Sequence, residues 1–150
     1  MEFLEKMVTL FTKYNSFFSA GVANTIILAL FTVLLGTVLG TLLAIMKLGK
    51  FAPTRWLANV YIEFIRGTPL MIQVMFLFYG LPMVGITFPS LPFISNSDRF
   101  MAGICAMSIN SGAYVAEIIR SGIQAVDKGQ TEAARSLGFK QSQTLMMVVL

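Results

Sequence analysis

The chain has 150 residues, of which 56% are hydrophobic and 12% are charged. Soluble domains carry about twice this share of charged residues, so the composition argues against a soluble enzyme and favours a protein whose solvent is lipid. The net charge of +4 comes from basic residues at the ends of apolar runs rather than from a stripe among exposed aromatics, which argues against nucleic-acid binding.

The residue content also limits the chemistry that the chain performs. There is no His and one Cys, Cys105, so imidazole sites and paired thiolates are excluded within the chain, and we predict no metal and no cofactor. The sequence contains no Gly-x-x-x-x-Gly-Lys-Ser/Thr phosphate cradle, so any ATP used must be hydrolysed by another polypeptide. We therefore do not expect an enzyme.

The first predicted membrane span covers about residues 21–46, because no charged residue lies between Tyr14 and Met46. A helix of this length, at about 1.5 Å per residue, crosses a hydrocarbon core of about 30 Å. The preceding residues, 1–18, have the pattern of an interfacial amphipathic helix or of an extension of the span. Gly36, Gly40 and Ala44 give the span a face of small residues, which favours close packing within the chain over a dimer contact.

The second predicted span covers about residues 57–84 and is interrupted by the motif Arg66-Gly67-Thr68-Pro69. Gly67 weakens a helix, Thr68 is a good cap for a new one, and Pro69 suits a first helical turn. We therefore expect one helix to end and another to begin inside the membrane. Residues 69–80 alone are too short to cross.

The third predicted span covers about residues 100–124 and is followed by a cytoplasmic segment at about 125–143. Lys and Arg cluster after the first and third spans, whereas the connection from Gly80 through Pro92 is poor in them. This distribution predicts an N-terminus outside the cell and two cytoplasmic segments. Within the second of these, residues 129–138 predict a short helix that Thr131 caps and Gly138 terminates, with Glu132 favoured by the helix dipole.

The cytoplasmic helix resembles the loop signature of importer permeases of the ATP-binding cassette class. The resemblance lies in Glu132-Ala133-Ala134 with Gly138 four residues later. Two further motifs, residues 66–73 and 111–123, resemble the polar amino acid branch of that family, which includes transporters of the His, Gln, Glu and Arg type. The loop of that family ends in an aliphatic residue, any residue, Leu and Pro. Val148-Val149-Leu150 lies at the matching spacing after Gly138, and the sequence ends where the Pro would follow, so we expect a C-terminally truncated permease.

The resemblance implies an all-α integral membrane protein with the importer-permease (MetI-like) helical bundle, here three spans plus the start of a fourth in one incomplete domain, 1–150. It implies a multi-pass location in the bacterial inner membrane. The partners would be a cytoplasmic ABC ATPase, an extracytoplasmic amino-acid-binding protein, a second identical or paralogous permease chain, and membrane lipid. The ATPase-coupling residues would be Glu132, Ala133, Ala134 and Gly138.

A substrate pathway is predicted from polar residues inside the spans. The predicted residues are Arg66, Thr68, Gln73, Tyr114 and Glu117. An exposed helix N-terminus together with Arg66 is suited to a substrate carboxylate. A lipid-facing charge costs about 2.5 to 3.5 kcal/mol at the bilayer centre, so Arg66 is expected to face a cavity or an interface rather than lipid. The alternatives are that Arg66 snorkels to the interface or pairs with Glu63, and that Glu117 pairs with Arg120.

Two other functions fit parts of this pattern. An ion-coupled carrier or channel would use broken helices and intramembrane acidic residues at its ion site. The other alternative is a nonfunctional truncated permease fragment, because three spans and the start of a fourth form a poor transport pathway alone. The carrier or channel would leave the Ala-rich cytoplasmic helix without an assigned role.

Overall fold

A computed structural model of the chain describes residues 2–89 and 97–149, with the side chains of residues 4–89 and 97–148. All secondary structure within these ranges is helical. The predicted connection through Pro92 lies partly outside the described residues. The α-helices in the described residues are α1 (Glu2–Lys13), α2 (Asn15–Leu48), α3 (Ala52–Gly67), α4 (Leu70–Met75), α5 (Leu81–Met83), α6 (Ser97–Ala125), α7 (Lys128–Ser136) and α8 (Gln141–Thr144), and a π-helical turn, Leu145–Val149, follows α8.

Two of the helices have the length and apolarity of membrane spans, namely α2 with 34 residues and α6 with 29. The predicted first span lies inside α2 and the predicted third span inside α6. Helix α1 is a separate helix that ends directly before α2, with Tyr14 between them. Phe11 and Phe18 stack across this junction with their ring centroids 5.0 Å apart.

The region predicted as the second span consists of two helical arms. Helix α3 forms the first arm, and α4 continues through a π-helical turn at Phe76–Gly80 into α5 to form the second. The arms meet at a bend of 101°. The break predicted at residues 66–69 is therefore present in the structure.

Helices α2 and α6 pack closely because small residues face each other. Gly36 lies against Ser111, and a Cβ atom at Gly40 would come within 2.6 Å of the Cβ of Val115. Ala44, one turn further along α2, is 1% exposed. The predicted face of small residues is thus a packing surface within the chain, which agrees with the preference of membrane helices for small interfacial residues.

The best-buried apolar cluster lies where α2, α3 and α6 meet. Its members are Leu43 and Ala44 of α2, Ala58 and Ile62 of α3, and Ala116 of α6. This junction fixes the first arm of the bent segment against both long helices. It also holds the C-terminal end of α2 beside the second half of α6, where the charged residues described next are found.

Candidate functional site

Proline at position 69 explains why the helix breaks, because it has no N–H with which to continue the α3 hydrogen-bond ladder. Thr68 has an extended backbone, and α4 begins at Leu70. The prediction that Thr68 caps the new helix is wrong. Its hydroxyl lies within hydrogen-bond distance of two carbonyl oxygens at the end of α3, at 3.0 Å from that of Phe64 and 3.3 Å from that of Ile65. A threonine hydroxyl favours such a local backbone acceptor.

Gln73 connects the two arms and α6. Its Nε2 atom donates to the carbonyl oxygens of Ile65 at 2.8 Å and Thr68 at 3.1 Å, and lies 2.7 Å from the Thr68 hydroxyl oxygen. Its Oε1 atom accepts from Asn110 Nδ2 at 3.1 Å. The side chain is buried. Gln73 therefore has hydrogen-bond partners for both ends of its carboxamide.

Arg66, Tyr114 and Glu117 lie together on the other side of the break. The guanidinium carbon of Arg66 is 5.4 Å from the centre of the Tyr114 ring, a cation–π distance. Arg66 Nη1 is 3.9 Å from Glu117 Oε2. The structure thus pairs Arg66 with Glu117, and it brings three of the five predicted pathway residues into one cluster.

Glu117 is the shared partner of two further cations. Lys47, at the end of α2, places Nζ 2.9 Å from Glu117 Oε2. Arg120 donates to Glu117 through Nε and Nη2, which confirms the predicted pairing of these two residues. One carboxylate therefore faces three cations, and the cluster has an excess of positive charge.

Helix α7, which the sequence predicted as a cytoplasmic helix, begins earlier than predicted. Asp127 is its N-cap and accepts a hydrogen bond from the backbone N–H of Gly129 at 2.6 Å. The prediction that Thr131 caps the helix is wrong, since Thr131 lies inside it. Aspartate is a stronger cap than threonine, and its early position moves Glu132 beyond the first turn.

The end of α7 agrees with the prediction that Gly138 terminates it. Gly138 has a φ of +89°, a left-handed conformation in which glycine avoids the steric cost of a Cβ atom. Its N–H donates to the Arg135 carbonyl at 3.0 Å, and the Phe139 N–H donates to that of Ala134 at 3.2 Å. These two bonds define a Schellman motif, which fixes the direction in which the chain leaves the helix.

The predicted coupling residues on α7 divide between two faces. Ala134 is 6% exposed and packs inward, whereas Glu132 and Ala133 are exposed. A short helix with a small alanine on its outer face leaves room for close approach by another protein. The fixed ends of α7 present this face in one orientation.

The sequence did not reveal the contact of Lys47 with the charged cluster or the contact of Asn110 with Gln73. Lys47 follows the first span, so its charge indicated only membrane topology, and its partner Glu117 is remote in sequence. Asn110 lies at helical spacing from Tyr114 and Glu117, so the three residues form one polar stripe along the third span. The spacing of that stripe was the available signal, because it predicted that this face of α6 packs against polar groups.

Comparison with known proteins gives the class to which this fold and site belong. The family described as "Binding-protein-dependent transport system inner membrane component" matches residues 36–150. The chain belongs to this family of inner-membrane transport components.

Individual relatives match a larger part of the chain than the family model does. It is 40% identical over 134 residues to the arginine transport system permease protein ArtQ of Bacillus subtilis (strain 168), covering 89% of this chain and 58% of that protein. It is 37% identical over 132 residues to the L-cystine transport system permease protein TcyB of the same organism, covering 88% of this chain and 53% of that protein. The chain thus spans just over half the length of these relatives.

A solved structure shows the same fold. The structure described as "Crystal structure of an amino acid ABC transporter with histidines" superposes with a TM-score of 0.81 at 42% sequence identity. The match covers 95% of this chain and 62% of the solved chain. The all-helical, importer-permease (MetI-like) fold predicted from the sequence is confirmed.

Proposed function

We propose that this chain acts as a membrane-spanning subunit of an ATP-driven importer that carries polar amino acids across the bacterial cytoplasmic membrane. The observation that carries the proposal is the exposed helix α7, with ordered ends, in a chain that matches amino acid transport permeases. The relatives include arginine and cystine transport systems, which supports small polar amino acids as the substrate class.

The proposed orientation places the N-terminus outside and the α2–α3 turn and α7 in the cytoplasm. The excess of Lys and Arg after α2 and after α6 supports it. The pair between Lys47 and Glu117 supports it further, since it holds the end of α2 beside the part of α6 that leads into α7. Both predicted cytoplasmic segments therefore leave the same side of the helix bundle.

In this proposal α7 couples the spans to a separate ATPase. Glu132 and Ala133 form the contact face, while Ala134 packs inward and Gly138 fixes the exit of the chain. An ATPase that changes shape when it binds and hydrolyses ATP would move α7 and, through α6, the helices packed on it. The chain itself performs no covalent chemistry.

The proposed substrate pathway passes the cluster of Arg66, Tyr114 and Glu117. Arg66 supplies a cation for a substrate carboxylate, and its long contact of 3.9 Å with Glu117 leaves donor capacity for a ligand. Glu117 supplies a negative charge for a substrate ammonium group, and the Tyr114 ring provides an aromatic surface beside Arg66. The predicted members Thr68 and Gln73 belong to the adjoining break.

The remaining partners are also part of the proposal. A second permease chain, identical or paralogous, would complete the pathway, because the helices described here expose large apolar side chains along α2, α4 and α6. An extracytoplasmic amino-acid-binding protein would deliver the substrate on the outer side. Lipid would cover the rest of the apolar surface.

Uptake into proteoliposomes tests the transport function. The chain would be reconstituted with its ATPase, its binding protein and a panel of radiolabelled amino acids. We expect uptake that requires enclosed ATP and saturates with a polar amino acid. Uptake that follows an ion gradient without ATP would support a carrier instead, and no uptake under any condition would support the fragment interpretation.

A further inference from the structure

The helix break at Pro69 leaves several carbonyl groups without their usual helical partners, among them those of Ile65 and Thr68. In a continuous helix the Ile65 carbonyl would accept from residue 69, but proline has no N–H. The Thr68 carbonyl would accept from the N–H of Ile72, which donates to the Pro69 carbonyl at 3.0 Å instead. Because hydrocarbon offers no water as a substitute, a break inside a membrane needs other donors for these groups.

The carboxamide of Gln73 supplies these donors. Its Nε2 atom lies 2.8 Å from the Ile65 carbonyl oxygen and 3.1 Å from that of Thr68. The Ile65 and Thr68 carbonyls therefore both accept from one buried side chain. The Thr68 hydroxyl lies 2.7 Å from the same nitrogen and strengthens the connection between the arms.

The oxygen of the same carboxamide ties the break to α6. It accepts from Asn110 at 3.1 Å, and Asn110 lies one helical turn before Tyr114 on the same helix. Arg66, at the other edge of the break, stacks over the ring of Tyr114. One side chain thus fixes both the bend and the position of the bend relative to the charged cluster.

We propose that Gln73 is a positioning residue, which holds the broken helix at its 101° bend and locks it to α6, rather than a group that contacts the transported molecule. The positioning role concerns the folded chain and is independent of what is transported. Its consequence, that Gln73 sets the place of Arg66 beside Tyr114, rests on the proposed substrate pathway.

Distances between spin labels test the proposal directly. In a Cys105→Ser background, labels at Trp56→Cys and Met83→Cys report the bend, since both positions are exposed and lie on opposite arms. At 1.5 Å per residue and the observed bend, the label sites are about 25 Å apart, against about 40 Å for a straight helix. A second pair, Met71→Cys and Ile118→Cys, reports the position of α4 relative to α6.

The variants separate the two functions of the carboxamide. We expect Gln73→Leu to lengthen or broaden both distance distributions, and Asn110→Leu to change only that of the second pair. Gln124→Leu, which removes an exposed carboxamide on α6 outside this network, is the control and should change neither. If the substitution only lowered the stability of the fold, the amount of folded protein would fall, and the distances between the labels in the protein that does fold would be unchanged. Unchanged distances in Gln73→Leu would overturn the proposal.

A rescue variant covers the case in which Gln73→Leu does not accumulate. Pro69→Ala restores an N–H that can reach the Ile65 carbonyl, so the double variant should accumulate again. Its first label pair should move towards about 40 Å as the helix straightens. Failure of Pro69→Ala to restore accumulation would contradict the idea that Gln73 replaces the donor that proline lacks.

Discussion

Lys47 and Glu117 are 70 positions apart in the sequence, yet their side chains form an ion pair of 2.9 Å between the end of α2 and the second half of α6. The same carboxylate also faces Arg66 and Arg120. Glu117 is therefore the group that holds three cations from three helical segments together. Its loss would leave positive charges facing one another with no counter-ion.

The ion pair predicts that neutralising Glu117 and neutralising Lys47 lower the stability of the protein by unequal amounts. Glu117→Gln should lower the free energy of unfolding by about 2 kcal/mol, between the values typical of exposed and buried ion pairs, because the side chains are about 20% exposed. Lys47→Gln should cost less, since two cations remain beside Glu117. Thermal unfolding in detergent measures both, with the exposed Lys50→Gln as control. A larger effect of Lys47→Gln would contradict this interpretation.

The contact of α2 with α6 predicts a position-dependent effect of adding one methyl group. Gly40→Ala places a Cβ 2.6 Å from the Val115 Cβ and 2.8 Å from the Gly112 carbonyl oxygen, so we expect a loss of about 1 to 3 kcal/mol of stability. Gly21→Ala is the matched control on the same helix, because nothing lies within 4 Å of its new Cβ. Equal unfolding temperatures for the two variants would show that the helices do not pack this closely.

The exposed face of α7 predicts a defect in coupling without a defect in folding. Glu132→Lys reverses an exposed charge, and Ala133→Arg fills the space that a small residue leaves open for a partner. Both should abolish ATP-dependent uptake while the chain remains in the membrane at its normal level. Gln130→Arg, also exposed on α7, is the control. Unchanged uptake in both variants would remove α7 from the coupling mechanism.

The proposed role of Arg66 predicts an effect on substrate concentration dependence. Arg66→Gln should raise the KM for uptake by about 10-fold to 100-fold, the equivalent of one charge-assisted hydrogen bond. Binding of the ATPase should be unchanged. Arg55→Gln, an exposed cation on the same helix, serves as control. Parallel loss of ATPase binding and uptake in Arg66→Gln would indicate a structural role instead.

The sequence predicted those features that depend on local chemistry. Uncharged runs indicated the spans, Pro69 indicated the break, and Gly138 indicated the end of α7. The start of α7 was misplaced because Asp127, four residues before Thr131, is the stronger cap. Thr68 was misassigned because its hydroxyl has carbonyl acceptors at the end of α3, whereas capping α4 would require it to accept from the first N–H groups of that helix.

The contacts between remote segments were harder to predict. The position of Lys47 after the first span was already explained by membrane topology, and no neighbouring residue indicated an ion pair with Glu117. Gln73 was predicted as a pathway residue because a polar group in an apolar run suggests function. Its hydrogen bonds to Ile65 and Asn110 depend on the angle of the bend, which local sequence does not specify.

The number of amino acid molecules imported per ATP hydrolysed is the measurement that tests the central proposal most directly. Both quantities would be followed in the same proteoliposomes, with wild-type chain and with Glu132→Lys. We predict a fixed ratio in the wild type, and in the variant a loss of uptake with ATP hydrolysis no longer stimulated by substrate. Uptake that continues at the same rate without ATP would contradict the proposal.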